Sequence, residues 1–385
     1  MSRPDTVRSK LPSSPVSIFS VMTRLANEHG AINLSQGFPD FDCDPDLVET
    51  VARYMREGHN QYAPMPGVMA LREALSTKIE RLYGRCYDPG TEITITTGAT
   101  EGLFVALTAF VHPGDEVLLF QPAYDSYTPA VELSGGIPRY ATLRYPDYRI
   151  DWDEVRRTIT PRTRVIVLNT PHNPTGMIWT GEDVRELRAA LQHTDAVVIS
   201  DEVYEHIVFD GAVHQSLARF PDLAERAVVI SSFGKTYHTT GWKVGYCAAP
   251  APLTTEIQKV HQWVTFAVNG AVQMAFADMV SRDPSGDGVT AFYQGRRDRF
   301  LALTKGTRFK PLPGRGTYFQ MLDYSDISSE RDEDFAIRLI KEHGVASIPI
   351  SPFLQPGTDP GPVLRFCFAK RDETLERAAE RLHAV

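Results

Sequence analysis

Lys235 lies in AVVISSFGKTYHTTGWKVGY, residues 227–246, behind an apolar, β-branched run and directly after Gly234. A primary amine in that place can bind a phosphate, form an imine with an aldehyde, or stand solvated on the surface. The GKT triplet by itself suggests a nucleotide-binding loop. Such a loop needs a second glycine five residues before Gly234, so that consecutive amides can turn inward around the phosphates. The residue there is Val229, inside the expected strand, and the nucleotide reading is excluded. Whether Lys235 forms an imine or is an ordinary surface lysine depends on what the rest of the chain brings beside it.

Five stretches read as strands, and each ends in polar or aromatic residues. Ile93–Thr96 leads into Gly98, Ala99 and Thr100 of GATE, and Glu116–Phe120 into Tyr124. Arg164–Leu168 leads into Asn169 and Asn173, Ala196–Ser200 into Asp201 and Tyr204, and Val228–Ser231 into Ser232 and Lys235. Ligands of open α/β sheets bind beyond the carboxyl ends of the strands. Singly, each residue has a plain alternative: a helix cap for Asp201 and GATE, a turn for Asn173, a core position for Tyr204. Together they describe a site for a flat, phosphorylated, carbonyl-bearing cofactor. Amides of Ala99 and Thr100 at a helix start suit a phosphate. Ser232 and Lys243 add donors and charge, Tyr124 a ring to stack on, and Lys235 an amine for the carbonyl.

The elements that must hold these groups follow from the pattern around them. A Pro- and Ser-rich arm precedes the helical SIFSVMTRLANEHG, and from about residue 47 to 280 short apolar strands alternate with amphipathic helices. That alternation predicts an α/β fold with a mostly parallel sheet flanked by helices. PSGDG after Asp283 suggests a break. Strand-like Thr317–Leu322, Val345–Ile348 and Val363–Phe368 then fit a smaller α+β domain. The expected division is an arm and part of the small domain at 1–46, a large domain at 47–282 and a small C-terminal domain at 283–385.

Composition narrows the function. The 385 residues carry a formal charge of -8, which argues against nucleic acid or an anionic membrane as partner. The four cysteines form no CxxC pair and the histidines no HExxH pattern, so neither disulfides nor a metal is expected. No signal peptide or membrane span is evident, and a cytoplasmic protein is the expectation.

GATE, AYDSY, NTPHNPTG, SDEVYEHI, SSFGKTYHTTGWKVGY and LRFCFAK, in this order, resemble the fold-type I pyridoxal-phosphate aminotransferases of classes I and II. The resemblance runs from about Ile18 to the last helix. SQGFPDF and NQYAPMPG look most like the bacterial methionine aminotransferases, relatives of the kynurenine aminotransferases. It implies pyridoxal 5'-phosphate as cofactor, with Lys235 bound to its aldehyde carbon and Asp201 paired with the ring nitrogen. Asn173 and Tyr204 would donate to the phenolic oxygen, Tyr124 would stack on the ring, and Ala99, Thr100, Ser232 and Lys243 would cup the phosphate. Lys243 stands where many relatives carry arginine, which keeps the charge but loses the bidentate fork. Tyr62 matches a tyrosine that reaches the phosphate from a neighbouring subunit, implying a homodimer. Arg365 matches the arginine that grips the substrate α-carboxylate, completed by Asn173 and by the close backbone of Gly37.

The implied reaction is a ping-pong transamination between an L-amino acid and a 2-oxo acid, via pyridoxamine phosphate. Lys235, Asp201 and Tyr204 are its expected catalytic residues. Ile18, Phe19, Phe266 and Phe353 are candidates for an apolar side-chain pocket and equally for ordinary core. Methionine, aromatic and other large apolar amino acids are the expected donors. A C–S β-lyase acting on cystathionine or cysteine S-conjugates would use the same lysine and carboxylate and stays open. A cofactor-sensing transcription regulator would carry an extra DNA-binding domain, which is not expected here.

Overall fold

Strands that are apolar on both faces build the centre of the molecule. The structure is a computed structural model and describes residues 8–12 and 14–385; the first seven residues and Ser13 of the expected arm lie outside these. The helix Ile18–Glu28 matches the expected helical stretch and is followed by β1 (Ile32–Asn33). β2 (Ile93–Thr96), β3 (Glu116–Gln121), β4 (Ile137–Thr142), β5 (Thr163–Asn169), β6 (Val197–Asp201), β7 (Ala227–Ser232) and β8 (Gly245–Ala248) come next. Among the described residues they form a seven-stranded sheet in the order β2-β8-β7-β6-β5-β3-β4. Neighbours are parallel except around β8, which runs antiparallel to β2 and β7. Val165, Ile166, Leu168, Val198, Ile199, Val228 and Ile230 are fully buried, which requires helices on both faces of the sheet. Strand order reverses between β3 and β5, so their carboxyl ends open a crevice at a topological switch point.

Two strands of this sheet carry no clear sequence signal. IPRYAT of β4 is an edge strand with an alternating, half-exposed pattern and a proline, which an edge tolerates. GYCA of β8 is short and lacks β-branched residues. Its Gly245 is required by packing, because a Cβ there would lie 2.6 Å from the Ser231 carbonyl oxygen.

The C-terminal part adds β9 (Lys310–Pro311), β10 (Phe319–Asp323), β11 (Val345–Ala346), β12 (Ile348–Pro349) and β13 (Val363–Cys367). β12-β13-β10-β9 form an antiparallel sheet, while β1 pairs parallel with β11. The single strand expected at Val345–Ile348 is therefore two, divided at Ser347 between different sheets. The strand expected from Thr317 starts at Phe319, because Thr317 has φ +67° and cannot extend it. Among the described residues, no helix is long and apolar enough to cross a membrane, and no His, Cys, Asp or Glu cluster could hold a metal ion.

Candidate active site

Lys235 sits on the short helix Phe233–Thr236 that follows β7. The Ser232 hydroxyl caps this helix by accepting from the Gly234 amide at 3.2 Å. Gly234 fits where a Cβ would lie 2.9 Å from Thr240 Cα, so the turn closes tightly enough to send Lys235 back over the sheet edge. Lys235 Nζ donates to the Tyr318 hydroxyl at 3.0 Å, and that hydroxyl donates to the Gly37 carbonyl. No carboxylate lies at ion-pair distance from Lys235 among the described residues. Burial, reinforced by the Lys243 charge, lowers its pKa to about 8. The neutral amine thus gains population as pH rises through about 8, well below the ordinary lysine range. The rate at which cofactor-free protein captures an aldehyde should rise across that same interval. A stopped-flow pH profile with its midpoint near that of a free lysine would contradict this.

Asp201 ends β6 and is in register with Asn169 of β5. Its carboxylate accepts from the Tyr127 hydroxyl at 2.6 Å and from the Val203 amide at 3.3 Å. Burial outweighs these bonds and raises its pKa to about 6. Among the described residues no cation lies at ion-pair distance, leaving a carboxylate open to a positively charged group. Asn169 accepts from the Asn173 amide at 2.8 Å and donates to the Asp201 carbonyl at 3.0 Å, which ties the ends of β5 and β6 together. Tyr204 is buried, edge-on to Tyr318 with ring centres 5.2 Å apart, and its ring lies 5.6 Å from Lys235 Nζ. Tyr124, past β3, packs edge-on against Tyr127.

Ala99 and Thr100 open the helix Gly98–Phe110, whose Thr97 makes no side-chain cap and leaves the first amides available to an anion. Lys243 Nζ lies 3.5 Å from the Thr100 hydroxyl, with its backbone held at φ +53°. A Cβ on Gly98 would lie 3.3 Å from that Nζ. Ser232 is in register with Gly245, whose missing Cβ would come within 2.8 Å of the Ala99 nitrogen. The structure brings all four residues of the expected phosphate cup together.

Arg365 of β13 is fully buried. Its guanidinium donates to Asn173 Oδ1 at 2.6 Å and to the Ser35 carbonyl at 2.8 Å, and its Nε has no partner. No carboxylate pairs with it among the described residues. It stands 3.8 Å from the ring centre of Phe319 and 5.2 Å from that of Phe19. Phe19 in turn packs against Phe353 with ring centres 5.7 Å apart. Gly37 fits because a Cβ would lie 2.6 Å from Phe319 Cζ. Ile18 is half-buried beside Phe19, against the core. Phe266 lies against Tyr62, with ring centres 5.6 Å apart, and Tyr62 is 86% exposed.

Three aromatic residues escape the sequence reading. Tyr127 lies in AYDSY but is masked by Tyr124, and only the start of its helix turns it toward Asp201. Tyr318 and Phe319 stand at the head of β10; pairing with β13 brings Phe319 to Arg365, and the bonds of Arg315–Thr317 to Ile207–Phe209 bring Tyr318 to Lys235. A tyrosine beside a glycine-rich turn, GRGTYF, was the available signal.

The assembled groups can capture an aldehyde, neutralise a ring cation, cradle a phosphate and receive a carboxylate. Comparison with known proteins agrees. A family model described as aminotransferase class I and II matches residues 29–382. The methionine aminotransferase of Escherichia coli is 50% identical over 381 residues, covering 98% of each chain. A solved Escherichia coli structure with that function superposes with TM-score 0.96, covering 99% of this chain and 100% of the other. The N-succinyldiaminopimelate aminotransferase of Mycobacterium tuberculosis gives TM-score 0.95 at 37% identity, covering 98% and 100%. A kynurenine–oxoglutarate transaminase of Dictyostelium discoideum is 34% identical, covering 95% and 93%. With its fold, the converging groups and these relatives in agreement, the chain belongs to the aminotransferase class I and II family and is a pyridoxal-phosphate-dependent aminotransferase.

Proposed function

We propose that this aminotransferase acts on L-amino acids with large apolar side chains, methionine foremost, and passes the amino group to a 2-oxo acid. The observation that carries the donor class is Arg365: a buried guanidinium with no acid of its own, walled by Phe319 and Phe19. It calls for a substrate carboxylate and offers apolar surface beside it. Similarity to the Escherichia coli methionine aminotransferase supports the same choice. An apolar pocket separates methionine from aromatic donors only modestly, so broad specificity is expected. The lyase alternative draws no support from these relatives.

The residues present fit pyridoxal phosphate. Among the described residues Lys235 and Asp201 lack opposite charges at ion-pair distance, and Thr97 at the Gly98–Phe110 helix start makes no side-chain cap. We assign the phosphate to Ala99, Thr100, Ser232 and Lys243, the ring nitrogen to Asp201, the phenolic oxygen to Asn173 and Tyr204, the ring face to Tyr124, and the aldehyde to Lys235. When bound, the cofactor supplies a carbonyl for the amino group and a ring that draws electron density from the substrate Cα. Asp201, once ionised, holds a proton on the ring nitrogen, and Tyr127 fixes the carboxylate's direction. Lys235 would take the Cα proton and deliver it to the carbon that was the cofactor's aldehyde, across the nitrogen from Cα; its lowered pKa suits it to act as base near neutrality. Arg365 and Asn173 grip the α-carboxylate, with Gly37 leaving room for it.

The exposure of Tyr62 and of Trp263, which is 84% exposed, supports a homodimer in which Tyr62 reaches the partner's phosphate. The pairing of β1 with β11 supports a small domain built from 1–46 and 283–385 around the large domain at 47–282. Four free cysteines suit a cytoplasmic setting. The deciding experiment is the visible spectrum of the holoenzyme. L-Methionine alone should bleach the cofactor band, and a 2-oxo acid should restore it; a band that aspartate bleaches and methionine leaves intact would overturn the donor assignment.

A further inference from the structure

We propose that His261 joins the phosphate-binding helix start to the segment carrying Tyr62, so that the two cofactor sites of a dimer are positioned as one unit. The proposal rests on the assignment of Tyr62 to the partner's phosphate.

Glu101 lies in the first turn of the Gly98–Phe110 helix, where its Oε2 accepts from the Thr97 amide at 2.6 Å. Its Oε1 faces Nδ1 of the fully buried His261 at 2.6 Å, while Nε2 of the same ring faces the Met65 carbonyl at 3.1 Å. A carbonyl only accepts, so Nε2 carries a proton. A carboxylate at hydrogen-bond distance on the other nitrogen needs a proton between them as well. The pair therefore holds one proton more than a neutral imidazole beside a carboxylate, and its net charge is zero. Glu101 can brace the helix start without setting an uncompensated negative charge beneath a phosphate.

The other end of the link is equally constrained. Met65 is three residues from Tyr62 in NQYAPMPG, and this segment is pinned by the Pro66 carbonyl on the Ile95 amide at 2.9 Å and by the Val68 amide on Gln273 at 2.8 Å. The His261 carbonyl also accepts from the Thr265 and Phe266 amides, turning the chain so that the Phe266 ring meets Tyr62. The His261 side chain thus joins Glu101, below its own phosphate cup, to the Met65 carbonyl three residues from Tyr62, and its backbone sets the turn that packs Phe266 on that tyrosine. None of these contacts reaches the cofactor: His261 is a positioning residue.

The test is a double-mutant cycle on cofactor affinity, read by fluorescence titration of the apoprotein with pyridoxal phosphate, with sedimentation and circular dichroism confirming folded dimers. Tyr62→Phe and His261→Gln should each weaken binding about tenfold, the loss of one hydrogen bond to a charged group. The double variant should bind no more weakly than the weaker single one. Multiplying fold-changes would overturn the coupling while leaving Tyr62 in place. An unchanged affinity in Tyr62→Phe would overturn the assignment of Tyr62, and the coupling with it. If His261→Gln does not fold, Glu101→Ala replaces it in the cycle. Glu101→Gln, which can still accept from Thr97 and donate to Nδ1 of a neutral imidazole, should keep wild-type affinity; loss equal to that of the alanine variant would overturn the hydrogen-bond account.

Discussion

Lys235→Ala lowers turnover by more than about 10⁴-fold, since one substitution removes both the group that captures the aldehyde and the base that moves the Cα proton. The fold should survive. The side chain is half-buried with no ion-pair partner among the described residues, and its removal relieves the desolvation that lowers its pKa. The measurement is steady-state transamination beside a thermal melt of the apoprotein. A folded variant that retains a tenth of wild-type turnover would remove Lys235 from the mechanism. An unfolded one would instead assign it a structural role, which its hydrogen bond to Tyr318 does not suggest.

Arg365→Met has the second-largest effect, and a different signature. Its two fixed bonds, to Asn173 and to the Ser35 carbonyl, orient the guanidinium without neutralising it, so the substrate carboxylate supplies the missing charge. Loss of a buried charge partner of this kind lowers kcat/KM for methionine by about 10²–10³-fold, chiefly through KM. An amine lacking the carboxylate should react equally slowly with wild type and variant. The discriminating result is the ratio between amino acid and amine, which must collapse in the variant. A variant with unchanged KM for methionine would sink the assignment. Replacing a buried, unpaired charge with an apolar chain of similar length is expected to leave the melting temperature unchanged or raise it.

Much of the site was legible because its groups follow strands, and a strand's carboxyl end is recognisable from an apolar run that stops. Asp201, Ser232 and Lys235 could be placed in this way to within a residue or two. Arg365 was legible through the resemblance of LRFCFAK to the family's motif. What stayed hidden depended on contacts between distant parts of the chain. Tyr318 meets Lys235 because the chain before it is held against Ile207–Phe209, and Ser35 serves Arg365 through a main-chain carbonyl, on which residue type has no bearing. Phe266 was a pocket candidate through the resemblance, and the turn after His261 that sets it against Tyr62 could not be read from the sequence. Strands β4 and β8 were missed for want of burial on one side and of length on the other, and the division of Val345–Ile348 at Ser347 left no mark in an apolar run.

Asp201 and Arg365 are buried and Lys235 half-buried, and among the described residues none has an opposite charge at ion-pair distance, so the newly made chain must desolvate these groups before anything answers them. A ligand that binds only the folded form offsets this, by about 2.7 kcal/mol when its free concentration is a hundredfold above its Kd. Chains that fold while the cofactor is scarce spend a larger fraction of time open to proteases. Protein made while the cofactor is scarce is therefore expected to be degraded faster than protein that folds around it.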